Sequence, residues 1–380
     1  MIENFLPKQY QQTNQYKVNH NYLREQFSDY EEIWKKIREV VISGDFTLGE
    51  EVNVLEAEFA LISESKFAIA VGSGTDALFL SLKALDIDKG DEVITSPFTF
   101  YATIGAIVTS GAKPVFVDIG DDFNINSASI EKKITSKTKA ILPIHWSGNP
   151  CDMDEITALS LKYKIPVVSD SCHAINATYN GKSVGSLGDL SCFSFHPLKN
   201  INVWGDGGII TTNSIKLAEK LRLLRNHGLV SRDECVLFAY NSRLDTVQAV
   251  VARHLMQKME YITDSRIRNA IYFDNQLSSI KQIKIPIRKV NKKQVFHLYS
   301  VLCQERDELV KFLNKNDIDA KVHYSLPMHL QPAASYLGYK LGDFPVTEHT
   351  AKSTMSLPIH EFITNEQQQK VVSLIKQFYE

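Results

Sequence analysis

The sequence has few cysteines and no long apolar run. Its five cysteines are scattered over 380 residues without a C-x-x-C pair, which argues against a disulfide framework and a zinc cluster. No stretch approaches eighteen unbroken apolar residues, and the first residues, MIENFLPKQYQQ, lack a basic region followed by an apolar one. We therefore expect no metal site, no membrane association and no secretory signal, and we expect a cytoplasmic protein.

The chain also lacks a charge bias. Forty-two Lys and Arg residues against forty-four Asp and Glu residues leave a net charge of −2, so bulk electrostatics do not favour nucleic acid or an anionic membrane as a partner. Apolar residues make up 44% and charged residues 23%, which is globular composition and excludes a disordered chain. A chain of 380 residues exceeds what one hydrophobic core usually supports, so two domains are expected.

The order of the apolar runs predicts an α/β protein. Residues 30–42 have apolar side chains at helical spacing before Gly44, a predicted helix cap, and a second amphipathic helix is predicted around Val52 to Phe59. From residue 67, helix-length segments separate most of the short apolar runs FAIAV, EVIT, PVFVD, AILPIH, PVVSD, SCFSF and GIITT. This alternation predicts a parallel or mixed sheet with helices on both faces.

A single long helix is predicted from about Leu244 to Ile280, because this stretch contains neither Gly nor Pro. Beyond it the pattern predicts a strand at VFHLYSV, a helix at about 306–316 and a final helix. We therefore assign residues 1–250 to N-terminal helices and a large domain, and residues 251–380 to the linking helix and a small C-terminal domain.

A glycine-rich segment, GSGTDA at residues 72–77, follows FAIAV and opens a predicted helix. Backbone amides at such a helix N-terminus bind phosphate. The segment also matches the loose dinucleotide fingerprint G-x-G-x-x-A, with Asp91 about twenty residues on, so an NAD(P)-dependent oxidoreductase is an alternative. Against that alternative, Asp91 precedes the strand VIT, whereas the fingerprint acid belongs at the end of the second strand. A plain structural turn is the third interpretation.

Residues 166–213 combine an acid, a lysine and several glycines. Asp170 follows the run PVV, so it should lie at the carboxyl edge of a strand, where open α/β sheets bind ligands. Lys199 follows the strand SCFSF, where desolvation would make its amine a nucleophile toward an aldehyde. An amine, a carboxylate and a phosphate site together indicate pyridoxal phosphate chemistry. Taken singly, each residue also has a structural interpretation: Asp170 as a cap, Lys199 as a snorkelling side chain.

These motifs resemble the DegT/DnrJ/EryC1/StrS family of sugar aminotransferases. The matching segments are GSGTDAL, SPFTFYAT, GKSVGSLGDLSCFSFHPLKN, GDGGIITTN, RNHG, YNSRLD and VHYSLPMHLQP, and they cover most of the chain from residue 20 onwards. The resemblance implies the aspartate aminotransferase-like fold type I, with a mixed seven-stranded sheet in the large domain and a smaller C-terminal α/β domain. It also implies pyridoxal phosphate as cofactor, with pyridoxamine phosphate as the intermediate form.

The resemblance implies roles for individual residues. Lys199 would form the Schiff base with the cofactor, and Asp170 would contact its pyridine nitrogen, so both would be catalytic. Gly74, Thr75 and Ser194 would bind the cofactor phosphate.

Three further residues would complete the cofactor site. Phe100 would stack on the ring, and His173 stands where the family often has glutamine, from which its imidazole could hydrogen-bond the phenolic oxygen. A structural role for His173 is the alternative. Asn241 would reach the phosphate of the neighbouring subunit's cofactor, which implies a homodimer with shared active sites.

The implied reaction transfers an amino group from L-glutamate to a keto sugar. The segments KVNHNYLREQF, SGDFTLG and HPLKNINVWGDGG resemble the subgroup that aminates an 8-keto derivative of the lipopolysaccharide sugar Kdo. A nucleotide-linked 3- or 4-keto-6-deoxy hexose is the alternative acceptor. Arg243, His323, Tyr324 and His329 are candidate substrate residues, and a core or interface role is open for those of the VHYSLPMHL segment. A non-catalytic cofactor-binding regulator would share the fold.

Overall fold

The computed structural model describes residues 16–20 and 22–380. The segment MIENFLPKQYQQ, which argues against a secretory signal, lies outside the described residues, as does Asn21 within KVNHNYLREQF. The helices are α1 (Leu23–Gln26), α2 (Tyr30–Ser43), α3 (Glu50–Ile62), α4 (Gly74–Ala84), α5 (Tyr101–Thr109), α6 (Met153–Tyr163), α7 (Ile215–Leu224), α8 (Thr246–Met256), α9 (Met259–Leu277), α10 (Arg306–Lys315), α11 (Pro345–Ser353) and α12 (Asn365–Tyr379). The strands are β1 (Phe67–Val71), β2 (Glu92–Thr95), β3 (Lys113–Phe116), β4 (Thr138–Ile141), β5 (Val168–Asp170), β6 (Thr178–Tyr179), β7 (Lys182–Ser183), β8 (Leu190–Ser194), β9 (Gly208–Thr212), β10 (Ile283–Lys284), β11 (Lys292–Lys293), β12 (Tyr299–Cys303) and β13 (Thr354–Leu357).

Seven of the described strands form the large sheet, in two hydrogen-bonded groups. One group has the order β1-β9-β8-β5 and the other β3-β2-β4. Two parallel bridges, Ile141 to Val167 and Ile144 to Asp170, join the groups where β4 ends and β5 runs. Strand β9 is antiparallel to both of its neighbours, whereas β5 and β8 are parallel. The mixed seven-stranded sheet expected from the sequence is confirmed.

The two faces of this sheet are covered by different helices. Along β1, Ala68 and Ala70 pack in a cluster with α2, α3 and α8, whereas Ile69 and Val71 pack in a second cluster with α4, α5 and α7. This division follows from the strand period of two, which sends successive side chains to opposite faces. The predicted helices on both faces are therefore confirmed.

The predicted first helix is confirmed, but the predicted single helix from Leu244 to Ile280 is wrong. Helix α2 ends at Gly44, whose φ of 72° is the left-handed conformation that glycine adopts without steric cost. The later helix divides into α8 and α9, with a break at Gln257 and Lys258. No Gly or Pro marks this break. Lys258 instead pairs with the Asp29 carboxylate, a long-range contact that helical periodicity does not reveal.

The strand predicted at VFHLYSV begins four residues late, at Tyr299. The reason is a clamp between this segment and the large domain, because Val295 N–H donates to Gly148 O at 3.1 Å and His297 N–H donates to Ser147 O at 3.1 Å. An added Cβ at Gly148 would lie 2.5 Å from a Val295 methyl carbon, so glycine permits this close approach.

A second, antiparallel sheet of order β10-β12-β13 packs with α9, α10 and α12 in a separate core. Residues 16–20 join this core although they lie at the other end of the chain. Val18 N–H donates to Asp317 O at 3.0 Å, and Asp319 N–H donates to Val18 O at 2.9 Å. The N-terminal segment is therefore hydrogen-bonded to the small domain before α1 begins.

Three features of the described residues bear on the absences expected from the sequence. No described helix is both long and apolar enough to cross a bilayer. Within residues 16–20 and 22–380 there is no group of three or more His, Cys, Asp or Glu side chains that could hold a metal ion. All five cysteines are free thiols.

Candidate active site

Asp170 ends β5, and two hydrogen bonds hold its carboxylate. Its Oδ2 accepts from Thr103 Oγ1 at 2.8 Å, and its Oδ1 accepts from the Cys172 backbone N–H at 3.1 Å. Thr103 in turn bonds to Thr99 Oγ1 at 2.7 Å. Because each oxygen has its own donor, the direction of the carboxylate is fixed at the sheet edge where the sequence predicts a ligand site.

Lys199 lies in the loop after β8, in a half-buried position. Its N–H donates to His196 O at 2.8 Å, and the Asn202 side chain donates to the Lys199 carbonyl at 2.9 Å. Burial lowers the pKa of the Lys199 ammonium, whereas the neighbouring charges of Cys172 and Asp170 raise it. Because burial is the larger effect, the neutral, nucleophilic amine is favoured more than in a solvated lysine.

The N-terminus of α4 lies against Ser194, the last residue of β8. Ser73 caps this helix, since its Oγ accepts from Asp76 N–H at 3.0 Å. At Gly74 an added Cβ would lie 2.6 Å from Ser194 Cβ and 2.9 Å from its Oγ. The first-turn N–H groups, including those of Gly74 and Thr75, have no acceptor within the helix. Together with the serine hydroxyl they form a site suited to a phosphate.

This narrow gap makes Gly74→Ala a test of the phosphate site. We expect the added methyl group to push the helix from Ser194 and to weaken pyridoxal phosphate binding by about 10- to 100-fold, the effect of about 1–3 kcal/mol of overpacking. Equilibrium titration of the apoprotein with the cofactor measures this. Gly105→Ala is the matched control, because an added Cβ in α5 meets nothing within 4 Å. Equal affinities in the two variants would contradict the assignment.

The His173 imidazole is held in one tautomer. Its Nδ1 accepts from the Ser147 backbone N–H at 3.3 Å, so in the neutral ring Nε2 carries the proton. The ring stacks on His297 with centroids 4.3 Å apart. Burial lowers the pKa of His173 well below its usual value, and the charges of Lys199 and His323 add to the shift. A neutral ring with a proton on Nε2 donates one hydrogen bond, as a glutamine amide would at this position.

Two aromatic rings line the same cleft. Phe100 precedes α5, is 45% exposed, and has its ring centroid 6.5 Å from that of Tyr324. Tyr324 packs edge-on against Phe98 at 5.8 Å. Burial raises the pKa of the Tyr324 hydroxyl, and the charges of Asp170 and Cys172 add to this. The ring contacts with Phe98 and Phe100 place Tyr324 beside the segment that leads into α5.

The two candidate substrate histidines occupy different environments. Burial lowers the pKa of His323 to about 4, and the charges of Lys321 and Lys199 add to the shift. Its Nδ1 lies 3.0 Å from Ser356 Oγ. His329 is buried away from solvent, and its Nε2 lies 3.1 Å from Glu348 Oε1. The His329 imidazole is therefore paired with a buried carboxylate, whereas the His323 imidazole contacts the hydroxyl of Ser356 in β13.

Asn241 and Arg243 lie beside the loop that precedes α4. The Asn241 side chain is exposed, and its backbone pairs with that of Asn226. Arg243 Nη1 donates to Asn226 Oδ1 at 3.1 Å. Between them, Ser242 Oγ accepts from Gly72 N–H at 3.1 Å, which attaches this segment to the phosphate loop.

Sequence reasoning missed Thr103 and Ser242. Thr103 orients the Asp170 carboxylate, and Ser242 holds the loop at Gly72. Both are short hydroxyl side chains with no spacing pattern of their own. Their membership of the segments SPFTFYAT and YNSRLD was the available signal.

The fold and this geometry define a class of protein. A mixed seven-stranded sheet with an oriented carboxylate at a strand end, a desolvated lysine amine beside it and a phosphate site at a helix N-terminus is the arrangement of pyridoxal phosphate-dependent enzymes of fold type I. The chain belongs to the DegT/DnrJ/EryC1/StrS aminotransferase family, whose model matches residues 28–376. It is therefore a pyridoxal phosphate-dependent transaminase.

Individual proteins support this membership. A pleiotropic regulatory protein of Geobacillus stearothermophilus is 42% identical over 351 residues, which are 92% of this chain and 94% of that protein. The dTDP-3-amino-3,6-dideoxy-alpha-D-galactopyranose transaminase of Aneurinibacillus thermoaerophilus is 39% identical over 350 residues, 91% of this chain and 95% of that enzyme. The crystal structure of S. venezuelae DesV in complex with a ketimine intermediate superposes with a TM-score of 0.94 at 34% identity, covering 96% of this chain and 98% of that one.

These findings confirm the family, the fold, the cofactor and the enzyme class that the sequence predicts. They favour the transaminase over the NAD(P)-dependent oxidoreductase that the GSGTDA segment also allowed. The sheet agrees, because β1 before this segment is antiparallel to β9. In a dinucleotide fold the corresponding strand belongs to a mostly parallel sheet.

Proposed function

We propose that this transaminase moves an amino group from L-glutamate to the keto group of a nucleotide-linked 3-keto-6-deoxy hexose, with Lys199 and Asp170 as its catalytic residues. The observation that carries the catalytic assignment is the desolvated Lys199 amine beside the Asp170 carboxylate, whose two oxygens each accept a hydrogen bond. The acceptor is supported by the Aneurinibacillus relative, whose name describes a dTDP-linked 3-amino-3,6-dideoxy sugar.

The residues present fit the cofactor. The Gly74 and Thr75 amides with the Ser194 hydroxyl would hold its phosphate. The absence of a side chain at Gly74 keeps the space beside Ser194 free, since an added Cβ would lie 2.6 Å from Ser194 Cβ. Asp170 would pair with the pyridine nitrogen, and the Nε2 proton of His173 would reach the phenolic oxygen. Bound pyridoxal phosphate supplies an electron sink for the electron pair that remains when the amino donor loses its Cα proton.

The chain's own residues then manage protons and water. The neutral Lys199 amine would accept the proton from the donor Cα as general base. It would then donate that proton to the C4′ carbon of the cofactor as general acid. Thr103 and the Cys172 N–H keep the Asp170 carboxylate aimed in one direction, so its charge stabilises positive charge opposite it. The rings of Phe100 and Tyr324, whose centroids lie 6.5 Å apart, would restrict the access of water to the reacting atoms.

The identity of the acceptor is tested by comparing three candidate sugars. The purified protein, loaded with pyridoxal phosphate and given L-glutamate, is offered a dTDP-linked 3-keto-6-deoxy hexose, its 4-keto isomer, or 8-keto-3,8-dideoxy-manno-octulosonate. We expect the 3-keto nucleotide sugar to give the aminated product and 2-oxoglutarate by mass spectrometry. Faster amination of the octulosonate, the acceptor expected from KVNHNYLREQF, would overturn this acceptor and make 8-amino-Kdo the product.

The same experiment separates an enzyme from a regulator. The Geobacillus relative is named as a regulatory protein, so a cofactor-binding protein without turnover is the competing function. A protein that binds the cofactor but forms no 2-oxoglutarate from glutamate would support that alternative. Formation of 2-oxoglutarate in proportion to aminated sugar would exclude it.

We further propose a homodimer whose subunits share their active sites. The loop that ends at Asn241 presents apolar side chains to solvent, including Phe238, which is 100% exposed, and Val236, which is 52% exposed. Phe100 and Tyr101, at the edge of the cleft, are 45% and 59% exposed. Exposed large apolar side chains of this kind favour a protein interface, and a second copy is the partner that the implied role of Asn241 requires.

Mixing two inactive variants tests whether Asn241 acts on the partner's site. In a shared site, a Lys199→Ala subunit and an Asn241→Asp subunit form a heterodimer with one intact site, because the intact Lys199 and the intact Asn241 meet in it. We expect co-refolding to restore about one quarter of native activity, since about half of the dimers are mixed and each has one working site. No restoration would mean that Asn241 serves its own subunit's site, and an Asn241→Asp variant that is active alone would mean that Asn241 serves neither.

A further inference from the structure

The segment that precedes α2 connects the small domain to the loop of Lys199. Its first part, residues 16–20, pairs with the small domain at Asp317 and Asp319. Its next part contains Tyr22, which stacks on His360 at 4.9 Å and accepts a hydrogen bond from Arg266. We call residues 16–20 and 22–27 the N-terminal strap.

Near its end the strap carries a buried amide, Gln26, which contacts both domains. Its Nε2 donates to Asn200 O at 3.2 Å and to Glu361 Oε1 at 3.2 Å. Its Oε1 accepts from Asn202 Nδ2 at 2.6 Å. The same Asn202 amide donates to the Lys199 carbonyl at 2.9 Å, so a continuous set of hydrogen bonds runs from Glu361 to the lysine backbone.

The hydrogen-bonded set is shielded from solvent. Gln26 is 3% exposed, and Glu361 lies 3.4 Å from Arg266 with both side chains 1% exposed. Arg266 also donates to Phe296 O at 3.1 Å, within the segment clamped to Ser147. Buried hydrogen bonds of this kind favour one arrangement of their members, because breaking the bond from Asn202 would leave the desolvated Gln26 Oε1 without a partner.

We propose that Gln26 is a positioning residue for Lys199, which fixes the lysine loop against the small domain through Asn202 and Glu361. In this role Gln26 acts through the Asn202 side chain and the backbone of residues 199–202, and not by contact with substrate or cofactor. The proposal rests on the function proposed for Lys199. It assigns the N-terminal strap a part in catalysis, since the reach of the lysine amine depends on where this loop is held.

Gln26→Met tests the proposal, because methionine keeps the length of the side chain and removes all three hydrogen bonds. We expect kcat to fall about tenfold while KM changes by less than about twofold, and the pH midpoint of the bound cofactor's visible absorption to shift by about half a unit or more. Gln368→Met is the matched control. Gln368 is also a 3% exposed helical amide, but it donates to Asn269 in the small domain, away from the lysine loop.

A second variant keeps the proposal testable if Gln26→Met folds poorly. Asn202→Asp removes the amide donor to both Gln26 and the Lys199 carbonyl, and it should shift the absorption midpoint and kcat in the same way. The double variant should then be no worse than the worse single variant, because both changes break one network. Equal midpoints and kcat for Gln26→Met and Gln368→Met would overturn the positioning role, whereas retained turnover in Lys199→Ala would overturn the proposed function itself.

Discussion

Lys199→Ala is expected to lower the rate of transamination by about 10⁴-fold or more and to abolish the adduct that borohydride traps. Alanine removes the amine that bonds to the cofactor and also the group that moves the proton, and proton transfer by a positioned side chain alone contributes about 10²–10⁴-fold. The rate of 2-oxoglutarate formation and the mass of the borohydride-treated protein measure the two losses.

The control for Lys199 is a lysine with a structural contact elsewhere. Lys220 is 30% exposed and pairs with Asp86 at 2.6 Å on the outer surface. Lys220→Ala should keep both the adduct and the rate, because surface ion pairs contribute little. An adduct that survives in Lys199→Ala would show that another amine carries the cofactor.

Asp170→Asn is expected to reduce kcat by about 10²–10³-fold while some cofactor remains bound. Asparagine keeps the shape but removes the charge that stabilises a protonated pyridine nitrogen, and loss of one such electrostatic partner costs about 3–4 kcal/mol in the transition state. Thr103 and the Cys172 N–H each donate to one carboxylate oxygen, so in the variant one of these donors meets the amide NH₂ and loses its acceptor. Single-turnover kinetics with glutamate isolate the proton-transfer step.

Asp118→Asn provides the comparison for a structural aspartate. Asp118 Oδ1 accepts from Thr347 N–H at 2.9 Å and Oδ2 accepts from Val346 N–H at 3.0 Å, at the start of α11. Its replacement should reduce the free energy of unfolding by about 1 kcal/mol, as loss of a helix cap does, and leave kcat nearly unchanged. Similar kcat values for Asp170→Asn and Asp118→Asn would argue against an electrostatic role of Asp170.

The sequence predicted what short segments determine. Strands such as β1 and β8, the cap at Gly44 and the placement of Asp170 at a strand end all depend on neighbouring residues. The sequence did not predict contacts between segments that are far apart in the chain. Lys258 meets Asp29 across more than two hundred residues, and Gln26 meets Glu361 across more than three hundred, so no local pattern marks the helix break or the strap.

The residues of the candidate site also fall into those that the sequence predicts and those that only the structure shows. Asp170 and Lys199 belong to one stretch of chain whose residue types indicate their chemistry, so the sequence places them. Thr103 and Asn202 act by orienting those groups, and their residue types are common in any protein. Only the folded chain shows that Thr103 donates to Asp170 and Asn202 to the Lys199 carbonyl.

The most direct test of the central claim is the visible absorption of the protein after incubation with pyridoxal phosphate and dialysis, followed as L-glutamate and then a keto sugar are added. If Lys199 carries the cofactor in a working transaminase, the absorption of the bound cofactor falls with glutamate and returns with the accepted sugar. Lys199→Ala should show neither change. If the native protein gains no absorption from the cofactor, or if Lys199→Ala gives the same cycle, the account is contradicted.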